Sequence, residues 1–249
     1  MGGGVSDAHS CIRERNVRRT AVLTGAPTTG ILRRYPHVVI ISQAATDSDF
    51  EVDLRIYRFG QATDALERSL NDHAAAAIHR APVGRKEEHL QAAPFHSEIW
   101  TLGLATPAFL SITVERGESN GGQSVGWTEG LNLDRRSGRR LSFADLFEDG
   151  AANVAIRACV AQLGADLPWP LSWDADWRSP LPDGYGGDAS AIEDVRRLAT
   201  DLNRWSFGSG EAVVHIPSFL PWNRASGTYE CRIPLQSLRA HARMSLDPS

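Results

Sequence analysis

The sequence predicts an α+β fold: a mainly antiparallel sheet with packed helices, in two joined lobes. Three observations predict it. Apolar and polar residues alternate through Phe50–Ile56 and through Leu110–Glu115, and Trp127, Leu131 and Leu133 share one parity, the period of half-buried strands. Elsewhere the period lengthens. Leu66, Leu70, Ala74, Ala77 and Ile78 share one helical face, and so do Val154, Ile156, Cys159, Val160 and Leu163. The runs are separated by stretches rich in Gly, Pro, Asn, Asp and Ser, which punctuate elements.

Taken in order, residues 1–34 show no sustained period and read as a flexible N-terminal arm. A first lobe spans 35–150 and a second spans 151–249. His37–Ser42 is a short apolar strand, and Phe50–Ile56 a strand with one wet face. A helix over 62–79 ends at Ala81-Pro82. Ile99–Thr106 leads into the central strands. Gly117–Gly126 is Gly-, Ser- and Asn-rich and reads as a loop. Asp134–Gly138 has hairpin-turn chemistry, with Gly138 suited to positive φ. This turn puts Leu131 and Leu133 on one buried face and Arg135, Arg136 and Arg139 at an exposed tip. Ser142 precedes Asp145 by three, a capping-box spacing. The helix after Gly150 stops at Gly164. A second capping box, Ser190 with Glu193, opens a helix carrying Ile192, Val195, Leu198, Leu202 and Trp205. Ala212–Ile216 and Thr228–Ile233 are strands, and the tail after Ala240 frays.

Composition narrows the function classes. The chain has 249 residues, 42% hydrophobic and 22% charged, ordinary for a globular protein. A net charge of -4 argues against a general nucleic-acid binder. No run approaches the roughly 18 apolar residues of a membrane span, and no signal peptide is visible. None of Cys11, Cys159 and Cys231 forms a CxxC pair. Cys159 and Cys231 lie on apolar faces and are expected as reduced core thiols. GxSxG, HExxH, P-loop and GxGxxG patterns are absent, and the histidines are dispersed, so no cofactor, metal or catalytic residue is assigned. His215, in a strand, is expected to hydrogen-bond or face solvent.

The candidate ligand-binding residues lie in two irregular stretches. Asp166–Asp188 carries Trp169, Trp173, Trp177 and Tyr185 beside Asp174 and Asp176. Flat rings beside carboxylates suit sugar or protein-surface recognition. The balance nevertheless favours rings that fold inward and pin a long connection to the body. Gly121 and Gly122 form a possible rim where backbone can approach a ligand, although a plain strand connection is the stronger reading.

Several short motifs carry a resemblance. They are the paired glycines, Leu131-Asn-Leu-Asp134, Ser137-Gly-Arg139, Leu141-Ser-Phe-Ala-Asp-Leu-Phe147, Ser218–Gly227 and Ile233-Pro-Leu235. Over about residues 97–240 the chain resembles a bacterial family of domains of unknown function. That family forms the C-terminal part of the ectodomain of the lysozyme-sensing anti-sigma factor RsiV and sits beside some peptidoglycan deacetylase domains. Where the family often has Gly-Gly-Ala-His, this chain has Gly121-Gly122-Gln123-Ser124. The resemblance implies an extracytoplasmic, periplasmic or envelope-anchored recognition domain, non-enzymatic, that binds cell-wall glycan such as peptidoglycan or a protein such as lysozyme. The competing expectations are a cell-envelope polysaccharide hydrolase using loop carboxylates and a cytoplasmic interaction domain.

Overall fold

The structure, a computed structural model, describes residues 20–23, 38–44, 51–59, 61–80, 94–119, 124–166, 197–216 and 229–248. Along them run β1 (Thr20–Leu23), β2 (Val38–Ala44), β3 (Glu51–Tyr57), α1 (Ala65–Arg80), β4 (Phe95–Ala105), β5 (Phe109–Ser119) and β6 (Ser124–Asp134). Then come α2 (Phe143–Leu146), α3 (Asp149–Asp166), β7 (Trp205–Phe207), β8 (Glu211–Ile216), β9 (Tyr229–Pro234) and α4 (Leu235–Leu238). The fold is α+β, as the periodicities predict. Strands β1 to β6 form one sheet in chain order, and β7, β8 and β9 form another. The β1–β2 and β2–β3 pairs are antiparallel and β3–β4 is parallel. A parallel pair needs a long crossover, and α1 lies within it. The chain divides into two compact units, Met1–Trp100 with Arg116–Val125, and Thr101–Glu115 with Gly126–Ser249. Strand β1 falls within the stretch read as an N-terminal arm.

In the first unit, α1 is opened by Asp64, whose carboxylate accepts the Glu67 N–H at 2.8 Å. It buries Leu66, Leu70, Ala74 and Ala77. The Asn71 carboxamide takes both backbone groups of Phe59, accepting its N–H at 2.7 Å and donating to its carbonyl at 2.9 Å. A single side chain thereby fixes the stretch that joins β3 to the helix.

In the second unit, the β6 turn forms as its sequence predicts. Gly138 has φ 70°, and Ser137 N–H donates to the Asp134 carboxylate at 2.7 Å. Leu131 and Leu133 are buried. Arg135 departs from the expected exposed tip: it is half-buried and donates to the Thr106 carbonyl at 2.9 Å. The capping box at α2 is complete, with Ser142 N–H on Asp145 at 2.7 Å and Asp145 N–H on the Ser142 hydroxyl.

β7, β8 and β9 pair antiparallel. Their inner face carries Trp205, Phe207, Ala212, Val214, Ile216, Cys231 and Ile233, all in one core cluster with Phe109, Phe147 and the apolar side of α3. Trp205 and Phe207 stack at 5.9 Å, and Phe207 meets Phe109 edge-on at 5.6 Å.

Five local expectations are corrected. β5 continues to Ser119 and β6 starts at Ser124, so strand occupies most of the stretch read as a glycine-rich loop. α3 passes through Gly164 to Asp166, because a glycine with a full backbone ladder costs only about 1 kcal/mol. Trp205 begins a strand instead of closing a helix. The helical residues 197–200 end at Asp201, whose carboxylate takes the Asn203 N–H at 3.0 Å and starts a 3-10 turn over Leu202–Arg204. The tail does not fray: Arg243 N–H donates to the Leu146 carbonyl at 2.8 Å, and Leu246 is buried. Cys159 and Cys231 are buried as expected but are not thiols. They form a disulfide, Cα to Cα 5.0 Å, across 72 residues of sequence.

Two stability outcomes follow. Leu133→Asp should lower the unfolding free energy by about 3–5 kcal/mol in a denaturant titration, because it places an unpaired charge at a site with no solvent exposure. Replacing both Cys159 and Cys231 by Ser should cost about 4 kcal/mol, the chain-entropy value for a loop of 72 residues. An unchanged midpoint for either variant would contradict the packing described.

Candidate functional site

Strand pleating gives the three-stranded sheet a second, polar face. Trp205, Phe207, Val214, Cys231 and Ile233 point to the core, so Ser206, His215, Glu230 and Arg232 point the other way. His215 and Glu230 are direct cross-strand partners. The Ser206 hydroxyl lies 2.8 Å from His215 Nε2. His215 Nδ1 lies 3.7 Å from Glu230, beyond hydrogen-bond reach, and has no other partner among the described residues. Glu230 also accepts from Arg232 at 2.8 Å, and Arg232 reaches on to Glu211. The result is a line of side chains across all three strands.

Electrostatics fixes the state of this line. Burial pushes the His215 pKa down to about 4, Arg204 and Arg232 push the same way, and Glu230 opposes them. The ring is therefore neutral at pH 7. A ring proton on Nδ1 faces Glu230, whereas a bare lone pair there would face a carboxylate. Nδ1 thus carries the proton and Nε2 accepts from Ser206. Serine, histidine and glutamate in this order have the composition of a charge-relay triad. The geometry departs from that of a triad: Ser206 is only 5% exposed, and the histidine stands 3.7 Å from the glutamate.

The first unit has its own buried polar group. Glu98, with no solvent exposure, accepts from Arg80 at 2.8 Å, from Arg116 at 3.1 Å and from Trp100 Nε1 at 2.8 Å. Burial pushes its pKa up, but the bonds from Arg80, Arg116 and Trp100 together outweigh burial and hold it below the usual carboxylate range. Two residues earlier on the same strand face, His96 is buried, with Nδ1 3.2 Å from Glu118. Among the described residues, no group of three or more His, Cys, Asp or Glu side chains converges as a metal site.

The sequence-derived candidates Trp169, Trp173, Asp174, Asp176, Trp177, Tyr185, Gly121 and Gly122 lie outside the described residues. Sequence reasoning missed Glu98, Arg80, Arg116 and Ser206. A signal for Glu98 was present: His96, Glu98 and Trp100 share a parity, and a carboxylate on the parity of a buried Trp needs partners.

Comparison with known proteins bears on the fold. No family model matches the chain, and no curated protein matches it. Solved structures do. One is a DUF3298 family protein from Pseudomonas aeruginosa PAO1, with a TM-score of 0.53 at 15% identity, covering 84% of this chain and 95% of that one. Another is a member of the DUF3298 family from Bacteroides fragilis NCTC 9343, with a TM-score of 0.54 at 15% identity, covering 84% of this chain and 93% of that one. The chain is similar in fold to DUF3298 proteins. At this identity the likeness concerns architecture, and roles for residues are not transferred.

Glu98→Ala should destabilise the protein by about 3–5 kcal/mol, since it removes the one carboxylate that accepts from Arg80, Arg116 and Trp100 inside the fold. Arg80→Ala should cost less, about 1–2 kcal/mol, because Arg80 is 41% exposed and Glu98 keeps its two other donors. Chemical denaturation of both variants checks the order. Equal losses would show that Glu98 is not the centre of the group.

Proposed function

We propose that this chain is an extracytoplasmic recognition domain that binds cell-wall glycan or a glycan-directed protein such as lysozyme, without catalysing a reaction. The observation that carries the export half of the reading is the Cys159–Cys231 disulfide. Disulfides persist in oxidising compartments and are reduced in most cytosols. The recognition half is supported by the resemblance of Leu131–Phe147 and Ser218–Gly227 to the ectodomain of the RsiV anti-sigma factor. The fold likeness to bacterial DUF3298 proteins is consistent with it. The burial of Ser206 and His215, with exposed Glu230 standing 3.7 Å from the ring, favours binding over catalysis in this reading. In this reading the contact surface is the segment with Trp169, Trp173, Asp174, Asp176, Trp177 and Tyr185, with the Gly121-Gly122 rim as a second contact. Rings of this kind supply large area at low entropic cost.

The test pairs affinity with stability on one variant. Trp173→Ala with Trp177→Ala should abolish binding to immobilised peptidoglycan or to lysozyme while leaving the melting temperature unchanged. If both rings are instead core anchors, stability falls by about 3–5 kcal/mol per fully buried ring. Unchanged affinity in a folded double variant removes this segment from the binding surface. Glycan cleavage that is lost in Asp174→Asn or Asp176→Asn would replace the binding reading with a hydrolase.

A further inference from the structure

The polar face of the three-stranded sheet holds one carboxylate between two partners, each beside a different oxygen. Glu230 is bonded through one oxygen to Arg232 at 2.8 Å, and its other oxygen stands 3.7 Å from His215 Nδ1. His215 is 2% exposed, and among the described residues Nδ1 has no hydrogen-bond partner. The two residues are directly opposed across β8 and β9, the position from which cross-strand side chains interact. From these observations we propose that His215, Glu230 and Arg232 form an acid-triggered switch, in which a proton taken up by His215 draws Glu230 away from Arg232. The proton enters from solvent at Nε2, since Nδ1 already carries one. Ser206 then stops donating to Nε2 and accepts from it, which its hydroxyl does by turning. The imidazolium presents Nδ1–H to Glu230, and Arg232 is left with Glu211.

The groups around His215 set the direction of the effect. From β7 there is Ser206, which carries no charge. From the 3-10 turn there is Arg204, which faces Glu129 of β6 at 3.8 Å and Asp201 at 3.9 Å. From β9 there are Glu230 and Arg232, and from β8 Glu211, which acts through Arg232. Two cations and burial oppose the proton, and one near carboxylate favours it. The folded state therefore binds it at about pH 4, whereas an unfolded histidine binds it near 6.5. Stability from the neutral ring is complete above pH 6.5 and is lost as pH falls through about 4. The strain falls where β8 ends and β9 begins, at the pairs His215↔Glu230 and Ile216↔Tyr229.

The experiment follows the His215 ring proton by NMR against pH in the full chain, with hydrogen exchange at the Tyr229–Arg232 amides. His215 should titrate well below the ordinary histidine range, and exchange at these amides should accelerate as it does. His215→Gln, which cannot take up the proton, should remove that acceleration. Arg232→Gln removes a repelling cation and frees Glu230, so it should move the titration to higher pH. Glu230→Gln should move it to lower pH. Opposite shifts separate the switch from general acid unfolding, in which both variants lose stability together. A His215 that titrates in the ordinary range, or shifts of the same sign, overturns the proposal. Arg232 is 58% exposed and its variant is expected to fold. Should Glu230→Gln not fold, the absence of an upward shift in Arg232→Gln is by itself decisive against the switch.

Discussion

Backbone groups at the ends and edges of strands need partners, and among the described residues three carboxamide side chains supply them, two in buried or half-buried places and one in an exposed one. Asn71 pairs both groups of Phe59. Gln162 does the same for Arg232, accepting its N–H at 2.9 Å and donating to its carbonyl at 2.8 Å. Asn132 donates to the carbonyls of Leu202 at 3.0 Å and Trp205 at 2.8 Å. A carboxamide has the same donor and acceptor as a peptide unit and acts as a one-residue strand. An unpaired group at the buried Leu202 and Trp205 carbonyls would cost about 1–3 kcal/mol. The three contacts therefore decide where strands can stop without exposing an edge.

The packing of the second unit depends on the Asn132 contact. β7 is three residues long and pairs with only β8 in its sheet. On its other side Ser111 takes the Phe207 N–H at 3.0 Å, and Asn132 takes the Trp205 carbonyl. This approach leaves no room for a side chain at Gly103 or Gly130: a Cβ there would collide with the carbonyl oxygens of Phe207 and Trp205 respectively. With the backbone held so closely, Trp205 and Phe207 project into the aromatic cluster with Phe147 and Phe109. On the far side of the sheet, α3 reaches β9 twice in one turn, through Gln162 and through the Cys159 disulfide. Side chains from β6 and α3 thus close both edges of a small sheet.

What was legible in the sequence was what depends on near neighbours. β3, β5, β6, α1 and α3 show their period over six residues or more, and the α2 capping box is a local signal. β7 shows no period at all in three residues. Trp205 also falls on the helical face of Leu198 and Leu202, so its strand state comes from tertiary contact. The Cys159–Cys231 bond joins residues 72 apart, and a cysteine on an apolar face looks the same as a thiol or as half of a disulfide. Ser206 and His215 show the same limit: each is ordinary in its own strand, and only pairing across β8 brings them together. The docked tail was hidden for this reason too, because Arg243 bonds to Leu146 far earlier in the chain.

Two of the buried ionisable groups, Glu98 and His215, show how partner number decides charge. Glu98 has three donors, two of them cationic, and burial alone does not neutralise it. His215 has one neutral partner at bonding distance, cations on two sides and a carboxylate just out of reach. For that side chain burial wins and the ring stays neutral. The first arrangement resists protonation because every bond to the carboxylate favours its charge. The second is poised, because the carboxylate that would stabilise the charged ring is already present but engaged with Arg232. The fold thus keeps a fixed charge in one unit and a conditional one in the other. The difference arises from a separation near one ångström beyond contact, between Glu230 and a ring it faces across two paired strands.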